Sequence, residues 1–266
     1  MTGYRGWTRP GPFPPGGIDP EAGETLDYIC GNFRIFQYAS GHRYSTDDVL
    51  TAWYGTTCAP RVERAADLGS GIGSVAIIAA WRLAGARFVT VEAQEMSVRL
   101  ARKSIRYNGL ESRFTIRHGD LRDPAIFAGE APFDLVLGSP PYFPPGTAVE
   151  AQHPQAVGAR IEMRGSVADY EAAAERILAP GGVFAFVAPA GTRLQSLRLV
   201  RKREIIFKEG AAPLIAVFAA SREEDIPPSY ETLIESPLTI RRLDGSVDRE
   251  YSAIRMSFGF PPGNVG

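Results

Sequence analysis

Two short stretches of this chain hold the residue types that could do chemistry. They are Asp67-Leu68-Gly69-Ser70-Gly71-Ile72-Gly73 and Ser139-Pro140-Pro141-Tyr142. Glycines at a strand-to-helix turn let the backbone reverse sharply and come close to a ligand. A dinucleotide site would read G-x-G-x-x-G, with a pyrophosphate on the helix N-terminus. Here an acid precedes the first glycine. Its carboxylate would repel a pyrophosphate and suit a ligand bearing an ammonium and a sulfonium. In the second stretch, the Ser139 side chain and the Pro140 carbonyl offer two acceptors for the hydrogens of an amine. The lone pair of an exocyclic amine is delocalised into its ring, and two such acceptors favour the pyramidal, nucleophilic geometry. Pro140 and Pro141 remove competing donors and stiffen the loop. Tyr142 offers a stacking face worth on the order of 1–3 kcal/mol to a base, once that base has left its own stack.

Two further acids stand at predicted strand ends. Glu92 closes Val89-Thr90-Val91-Glu92 at the distance from Gly69 where a carboxylate can accept from both ribose hydroxyls. Its plainer reading is a surface glutamate. Asp120, in His118-Gly119-Asp120-Leu121, read alone is a turn residue or a helix cap.

The elements that must position these residues alternate. Strands are expected at Arg64–Leu68, Arg87–Glu92, Phe114–Arg117, Phe133–Gly138 and Val183–Ala188, and then at Arg203–Phe207 and Leu214–Ala219. Helices are expected at Ser74–Ala84, Gln94–Tyr107, Val167–Leu178 and Thr192–Val200. Such alternation predicts an α/β fold, a mainly parallel sheet with helices on both faces. The link between the last two strands is too short for a helical crossover and predicts an antiparallel hairpin. Ser45-Thr46-Asp47-Asp48 ahead of an apolar run reads as a helix start. Before it, Phe33, Ile35 and Gln37 alternate as in a hairpin. Residues 1–24, rich in Pro and Gly, read as an extended, weakly ordered arm, 25–220 as the main domain, and 221–266 as an extension with a hairpin around Asp244-Gly245-Ser246.

Bulk properties narrow the function classes. The chain has 266 residues, 44% hydrophobic and 22% charged, with a net charge of −1. That suits one globular domain with short extensions, and any polyanion must meet a local basic patch. Candidate patches are Arg102, Lys103 and Arg106, then Arg160 and Arg164, then 198–208 with five bases against one acid, and Arg241-Arg242. A charge run is also the usual composition of a solvated face. Cys30 and Cys58 form no CxxC, and His42, His118 and His153 are scattered, so neither a metal site nor a disulfide framework is expected. No apolar run approaches the roughly 20 residues of a membrane span, and no secretory h-region is seen near Met1. A cytoplasmic enzyme with no membrane partner is expected, and nothing indicates an oligomeric state.

The combination of the D-L-G-S-G-I-G loop, Glu92 and Asp120 resembles the class I S-adenosylmethionine-dependent methyltransferases. The resemblance implies a Rossmann-like, seven-stranded sheet of order 3-2-1-4-5-7-6. It implies S-adenosylmethionine as cofactor, with S-adenosylhomocysteine as product, held by Asp67, Gly69, Ser70, Gly71, Gly73, Glu92, Asp120, Leu121 and Ser139. Asp120 would accept from the adenine amine of the cofactor. Ser139-Pro140-Pro141-Tyr142 resembles the (Asn/Asp/Ser)-Pro-Pro-(Tyr/Phe/Trp) motif of amino-methyltransferases, with Ser where Asn is commonest. A hydroxyl accepts but also donates, and it is shorter.

More local segments are similar to bacterial tRNA(valine) adenine-N6-methyltransferases. They are Arg43-Tyr44-Ser45-Thr46-Asp47 through Leu50, Asn108-Gly109-Leu110 with Arg113, His153-Pro154, Ala159-Arg160-Ile161-Glu162, Asp169-Tyr170, and Leu178-Ala179-Pro180-Gly181-Gly182. This likeness spans roughly residues 30–220 and implies methyl transfer to an adenine amine of RNA, with Thr46 and Asp47 helping to close the cofactor site. Two alternatives stay open: methylation of a protein glutamine or a small-molecule amine, and a catalytically weak cofactor-binding protein that binds RNA or a partner.

Overall fold

The computed structural model describes residues 6–141 and 165–265. The chain opens with a hairpin of β1 (Glu24–Tyr28) and β2 (Arg34–Tyr38). Helix α1 (Thr46–Cys58) begins at a capping box: Ser45 Oγ accepts from Asp47 N at 3.2 Å, and Asp48 Oδ2 accepts from Ser45 N at 2.7 Å. The alternating unit follows as β3 (Arg64–Leu68), α2 (Ser74–Arg82), β4 (Arg87–Glu92), α3 (Glu95–Tyr107), β5 (Phe114–His118) and β6 (Phe133–Gly138). After it come α4 (Val167–Ile177), β7 (Leu178–Pro189), β8 (Arg198–Ile206), β9 (Ile215–Ser221), β10 (Leu233–Thr239) and α5 (Arg249–Ser257).

The main sheet runs β5-β4-β3-β6-β7-β9-β8-β10. β5 to β7 are mutually parallel, and β9 lies antiparallel between β7 and β8. Its first seven strands have the expected 3-2-1-4-5-7-6 order, that of class I methyltransferases. The eighth, β10, was not expected. It joins β8 in parallel, and Arg201 of β8 grips Glu235 of β10 with two bonds of 2.9 Å. The expected hairpin around Gly245 is only a turn closed by the bridge Arg241–Val247, because the chain before it pairs with β8 and the chain after it forms α5.

The helix expected at Thr192–Val200 is also absent. The backbone N–H groups of Gln195, Ser196 and Leu197 donate instead to the Glu171 carboxylate at 2.7–3.0 Å. From Arg198 the chain pairs with β9, and from Arg201 with β10 as well. Side-chain capture and pairing thus decide against local helical spacing. The basic run 198–208 is largely spent on ion pairs within the fold. Arg198 pairs with Glu223, Arg201 with Glu235, Lys202 with Glu204 and Arg203 with Glu250.

Two apolar layers sandwich the sheet. One holds α1, α2 and α3 against Ala65, Phe88, Leu135 and Leu137. There Ser104 of α3 and Asn108, the residue capping its C-terminus, bond the β2 backbone at Phe36 and Arg34, fixing the hairpin beside the helix. Gly11 and Gly16 of the N-terminal segment lie against Trp81 and Tyr107 on this side. The other layer packs α4 onto Phe184, Phe186 and Phe218. Phe186 and Phe218 are register partners on β7 and β9 with rings 4.9 Å apart, and Phe184 stacks on Phe186 at 4.6 Å. Among the described residues no helix is long and apolar enough to cross a membrane.

Phe186 is fully buried at the centre of this stack. Phe186→Ala is expected to lower the unfolding free energy by about 3–5 kcal/mol, read by urea denaturation. A loss below about 1 kcal/mol would show that the stack does not hold the second layer.

Candidate functional site

Strand register assembles the site. Leu68 on β3 pairs with Val91 on β4 and with Gly138 on β6. Gly69, Glu92 and Ser139 are therefore each the next residue at the carboxyl ends of three adjacent parallel strands, about 4.8 Å apart. Glu92 in turn pairs with His118, two residues before Asp120. Topology thus brings the glycine turn, Glu92, Asp120 and the Ser139-Pro140-Pro141 segment to one crevice, where ligands sit in open α/β sheets.

The glycine turn is stitched to β4. Ser70 N donates to Val91 O at 2.9 Å, and Gly71 N donates to Glu92 Oε2 at 2.9 Å. Gly69, Gly71 and Gly73 have φ of +58°, +54° and +84°, backbone that residues with a Cβ rarely adopt. Gly69 is further required because a Cβ there would lie 1.8 Å from the Tyr170 hydroxyl. The Tyr170 ring also packs on Gly138 and Gly165, so this one aromatic wedges the cofactor-type turn against the end of β6. Glu92 Oε1 accepts from Gln94 N at 2.6 Å.

The electrostatics are acidic. Asp67 is buried beneath the turn, and its Oδ2 accepts from Ala76 N, in the first turn of α2, at 3.2 Å. Burial first, and then the neighbouring Asp48, hold its carboxyl well above the usual range. Asp48 is likewise buried and is pushed up to about 7 by desolvation, against the counter-effect of the Ser45 N–H. Burial also raises Tyr170, followed by the fields of Glu92, Asp67, Asp120 and Asp169, so its hydroxyl stays protonated. Asp120 is chelated by Arg122, whose Nε lies 2.9 and 3.1 Å from the two carboxylate oxygens.

This arrangement fits a cationic adenosyl ligand. Asp67 Oδ1 and Ser70 Oγ are buried without a hydrogen-bond partner. A Cβ built on Gly71 meets nothing within 4 Å, so that backbone borders open space. A nearby positive charge would draw these buried carboxyls back toward the ionised form and be stabilised by them, and the ammonium and sulfonium of S-adenosylmethionine carry such charge.

The other expected residues are placed as follows. Ser139 and Pro141 are half-buried and Pro140 is buried. Thr46 and Asp47 lie half-buried in the first turn of α1. The Leu121 side chain points into the second apolar layer. Tyr142, His153 and residues 159–164 lie outside the described residues. Sequence reasoning missed Asp48, Tyr170 and Glu171. Asp48 was visible as the third helical residue of a capping box, but its burial was not. Nothing local marks Tyr170 or Glu171 as more than helix residues.

The Asp48 carboxyl has its folded pKa above its unfolded one. Between about pH 4 and 7 the folded chain therefore holds the extra proton, and stability falls as pH rises through that window. Asp48→Asn keeps an acceptor for Ser45 N without the charge. Its stability relative to the wild-type chain is expected to improve by on the order of 2 kcal/mol from pH 5 to pH 8. Urea unfolding at both pH values checks this, and a pH-independent difference would refute the shift.

Comparison with known proteins bears on the same features. Residues 55–209 match the family model "Methyltransferase small domain". A tRNA1(Val) (adenine(37)-N6)-methyltransferase of Porphyromonas gingivalis is 29% identical over 222 residues, covering 78% of this chain and 86% of that protein. A 4-amino-L-phenylalanine/4-methylamino-L-phenylalanine methyltransferase of Streptomyces pristinaespiralis is 37% identical over 135 residues, covering 48% of this chain and 43% of that one. A predicted O-methyltransferase from Agrobacterium tumefaciens shares the fold, with a TM-score of 0.59 at 18% identity over 81% of this chain and 98% of its own. With the family model matching more than half of its length, the chain belongs to the methyltransferase small-domain family and is an S-adenosylmethionine-dependent methyltransferase.

Proposed function

We propose that this chain methylates the exocyclic amino nitrogen of an adenine in RNA, with tRNA as the substrate class. The observation that carries the reading is the Leu68–Gly138 pair, which sets Ser139 beside the turn that begins at Gly69. In this reading Gly69, Ser70, Gly71 and Gly73 hold the methionine part of the cofactor, with Asp67 beneath them. Glu92 accepts from the ribose hydroxyls. Asp120 takes the adenine amine, sharing its carboxylate with Arg122, while the Leu121 backbone lines that end. Thr46 and Asp47 close the site from α1. When bound, S-adenosylmethionine supplies a methyl group on a sulfonium and leaves as S-adenosylhomocysteine.

Ser139 Oγ and the Pro140 carbonyl accept the hydrogens of the target amine and hold its lone pair in line. Tyr142 stacks on the base. Pro140 and Pro141 keep the acceptors fixed. The tRNA-modifying activity named for the Porphyromonas relative supports adenine in RNA. The Streptomyces relative, named for an aromatic amine, supports a second reading in which the same acceptors serve a small arylamine.

One experiment separates the readings. The protein is incubated with methyl-labelled S-adenosylmethionine and with separated tRNA, rRNA, DNA, protein and metabolite pools. Label in tRNA, recovered as N6-methyladenine, is the expected result. Label confined to the metabolite pool would overturn the RNA reading, and label in no pool would overturn the catalytic one.

Two variants test the roles. Ser139→Ala is expected to lower kcat about 10- to 100-fold, with cofactor affinity within twofold of wild type. Glu92→Ala is expected to weaken cofactor binding about tenfold or more in calorimetry, the scale of a lost charge-assisted hydrogen bond. Unchanged turnover in the first, or unchanged affinity in the second, contradicts the assigned role.

A further inference from the structure

The half of the sheet beyond β6 has a rim of its own at the same end as Ser139. Gly138 pairs with Phe186, and β7 continues to Pro189, three residues or roughly 10 Å further. Pro189 pairs with Ile215, Ile215 with Ile205, and Ile206 with Thr239. The connections 207–214 and 240–247 therefore leave the sheet at the crevice end, and 190–197 starts there, just after Pro189, before crossing to Arg198 at the opposite end. They are joined: Ala190 N donates to Leu214 O at 3.1 Å, and Glu209 N donates to Arg241 O at 2.8 Å. Glu171 clamps the first connection from beneath through three consecutive N–H groups.

Charge on this rim is one-sided. The three connections carry Arg193, Lys208, Arg241 and Arg242 against Glu209 and Asp244. Glu209 is occupied by Leu243 N at 3.1 Å and by Arg242 at 4.0 Å, while Ser246 caps Asp244. Among the described residues, Arg193 and Lys208 have no carboxylate partner, and the Arg241 guanidinium donates only to Gly245 O at 3.1 Å. All three bases are exposed, whereas those of β8 below them are paired. The same connections carry Leu214 and Leu243, each 69% exposed, with Leu243 near Gly210. Separated cations flanking apolar faces match a ribose-phosphate chain, with phosphates on the bases and sugar or base surface on the leucines.

We infer that this rim docks the RNA acceptor, with Arg193, Lys208 and Arg241 each meeting a backbone phosphate and Leu214 and Leu243 bearing on the nucleosides between. The inference rests on RNA being the acceptor. It explains how a chain of net charge −1 could hold a polyanion over an acidic methyl-donor crevice.

The test is binding of fluorescently labelled tRNA, followed by anisotropy across a salt series, for the wild-type chain and the triple variant Arg193→Glu, Lys208→Glu, Arg241→Glu. The variant is expected to bind at least about tenfold more weakly at 0.1 M salt, and its slope of log K against log salt is expected to be shallower by about two to three. Its S-adenosylmethionine affinity should stay within twofold of wild type, since none of the three residues touches that site. Should the triple variant fail that fold check, single Arg193→Glu and Lys208→Glu variants carry the comparison, each with a slope shallower by about one. Equal tRNA affinity and slope in wild type and variant, no tRNA binding by the wild-type chain, or equally tight binding of polyglutamate would each overturn the inference. Binding lost in the variant, with no tRNA labelled by the wild-type chain, would instead sink the adenine-methylation reading and leave the rim standing.

Discussion

Everything at the crevice depends on one pairing, that of β3 with the strands on either side. Leu68 pairs with both Val91 and Gly138, and a parallel ladder fixes which residues come next at the strand ends. A slip of one residue would turn each side chain to the opposite face of the sheet. Asp67 would leave the N-terminus of α2, and Ala66 would lose its place in the second apolar layer. The register is held by burial on both faces. Ala65, Ala66 and Leu68 are fully buried, and β6 contributes Leu135, Val136 and Leu137 with no exposure. Geometry at the site is thus set by packing some distance below it.

Placing acids at these strand ends has an energetic cost that the fold meets locally. Asp48, Asp67 and Glu92 are all buried, and their mutual repulsion is relieved by main-chain donors: Ser45 N for the first, Ala76 N for the second, and Gly71 N and Gln94 N for the third. These backbone N–H groups offset part of the desolvation that holds the Asp48 and Asp67 carboxyls above the usual range. The opposite logic governs β8 and β10. There β8 arginines meet glutamates of β10 and of α5, in the pairs Arg201–Glu235 and Arg203–Glu250, which brace the strand edge.

The fold and the core of the site were legible from sequence because their signals were local. Turns at Gly69–Gly73, strands of contiguous apolar residues and the capping box at Ser45 follow from short-range chemistry. What was not legible depended on distant partners. The edge strand β10 exists because β8 offered an open ladder to a segment some thirty residues later, which no window around Leu233–Thr239 reveals. The wedge at Tyr170 depends on Gly69, Gly138 and Gly165 converging on one ring. The basic run 198–208 looked like a polyanion surface because its glutamate partners lie elsewhere in the chain, at Glu223, Glu235 and Glu250.

The missing helix after β7 ties these strands of argument together. Leucines at 194 and 197 have helical spacing, yet a helix over 192–200 would require the N–H groups of 195–197 to bond backward along the chain. Glu171, buried on α4, takes all three. A buried carboxylate left unbonded would be far more costly than a short helix foregone. Glu171 sits one residue after Tyr170, so the same turn of α4 braces the glycine turn through its ring and the β7–β8 connection through its carboxylate. With no helix there, the connection crosses in extended form from Pro189 at the crevice end to Arg198 at the opposite end of the sheet, where β8 begins its pairing with β9. Helix α4 is therefore the element that holds the glycine turn and the β7–β8 connection in one geometry.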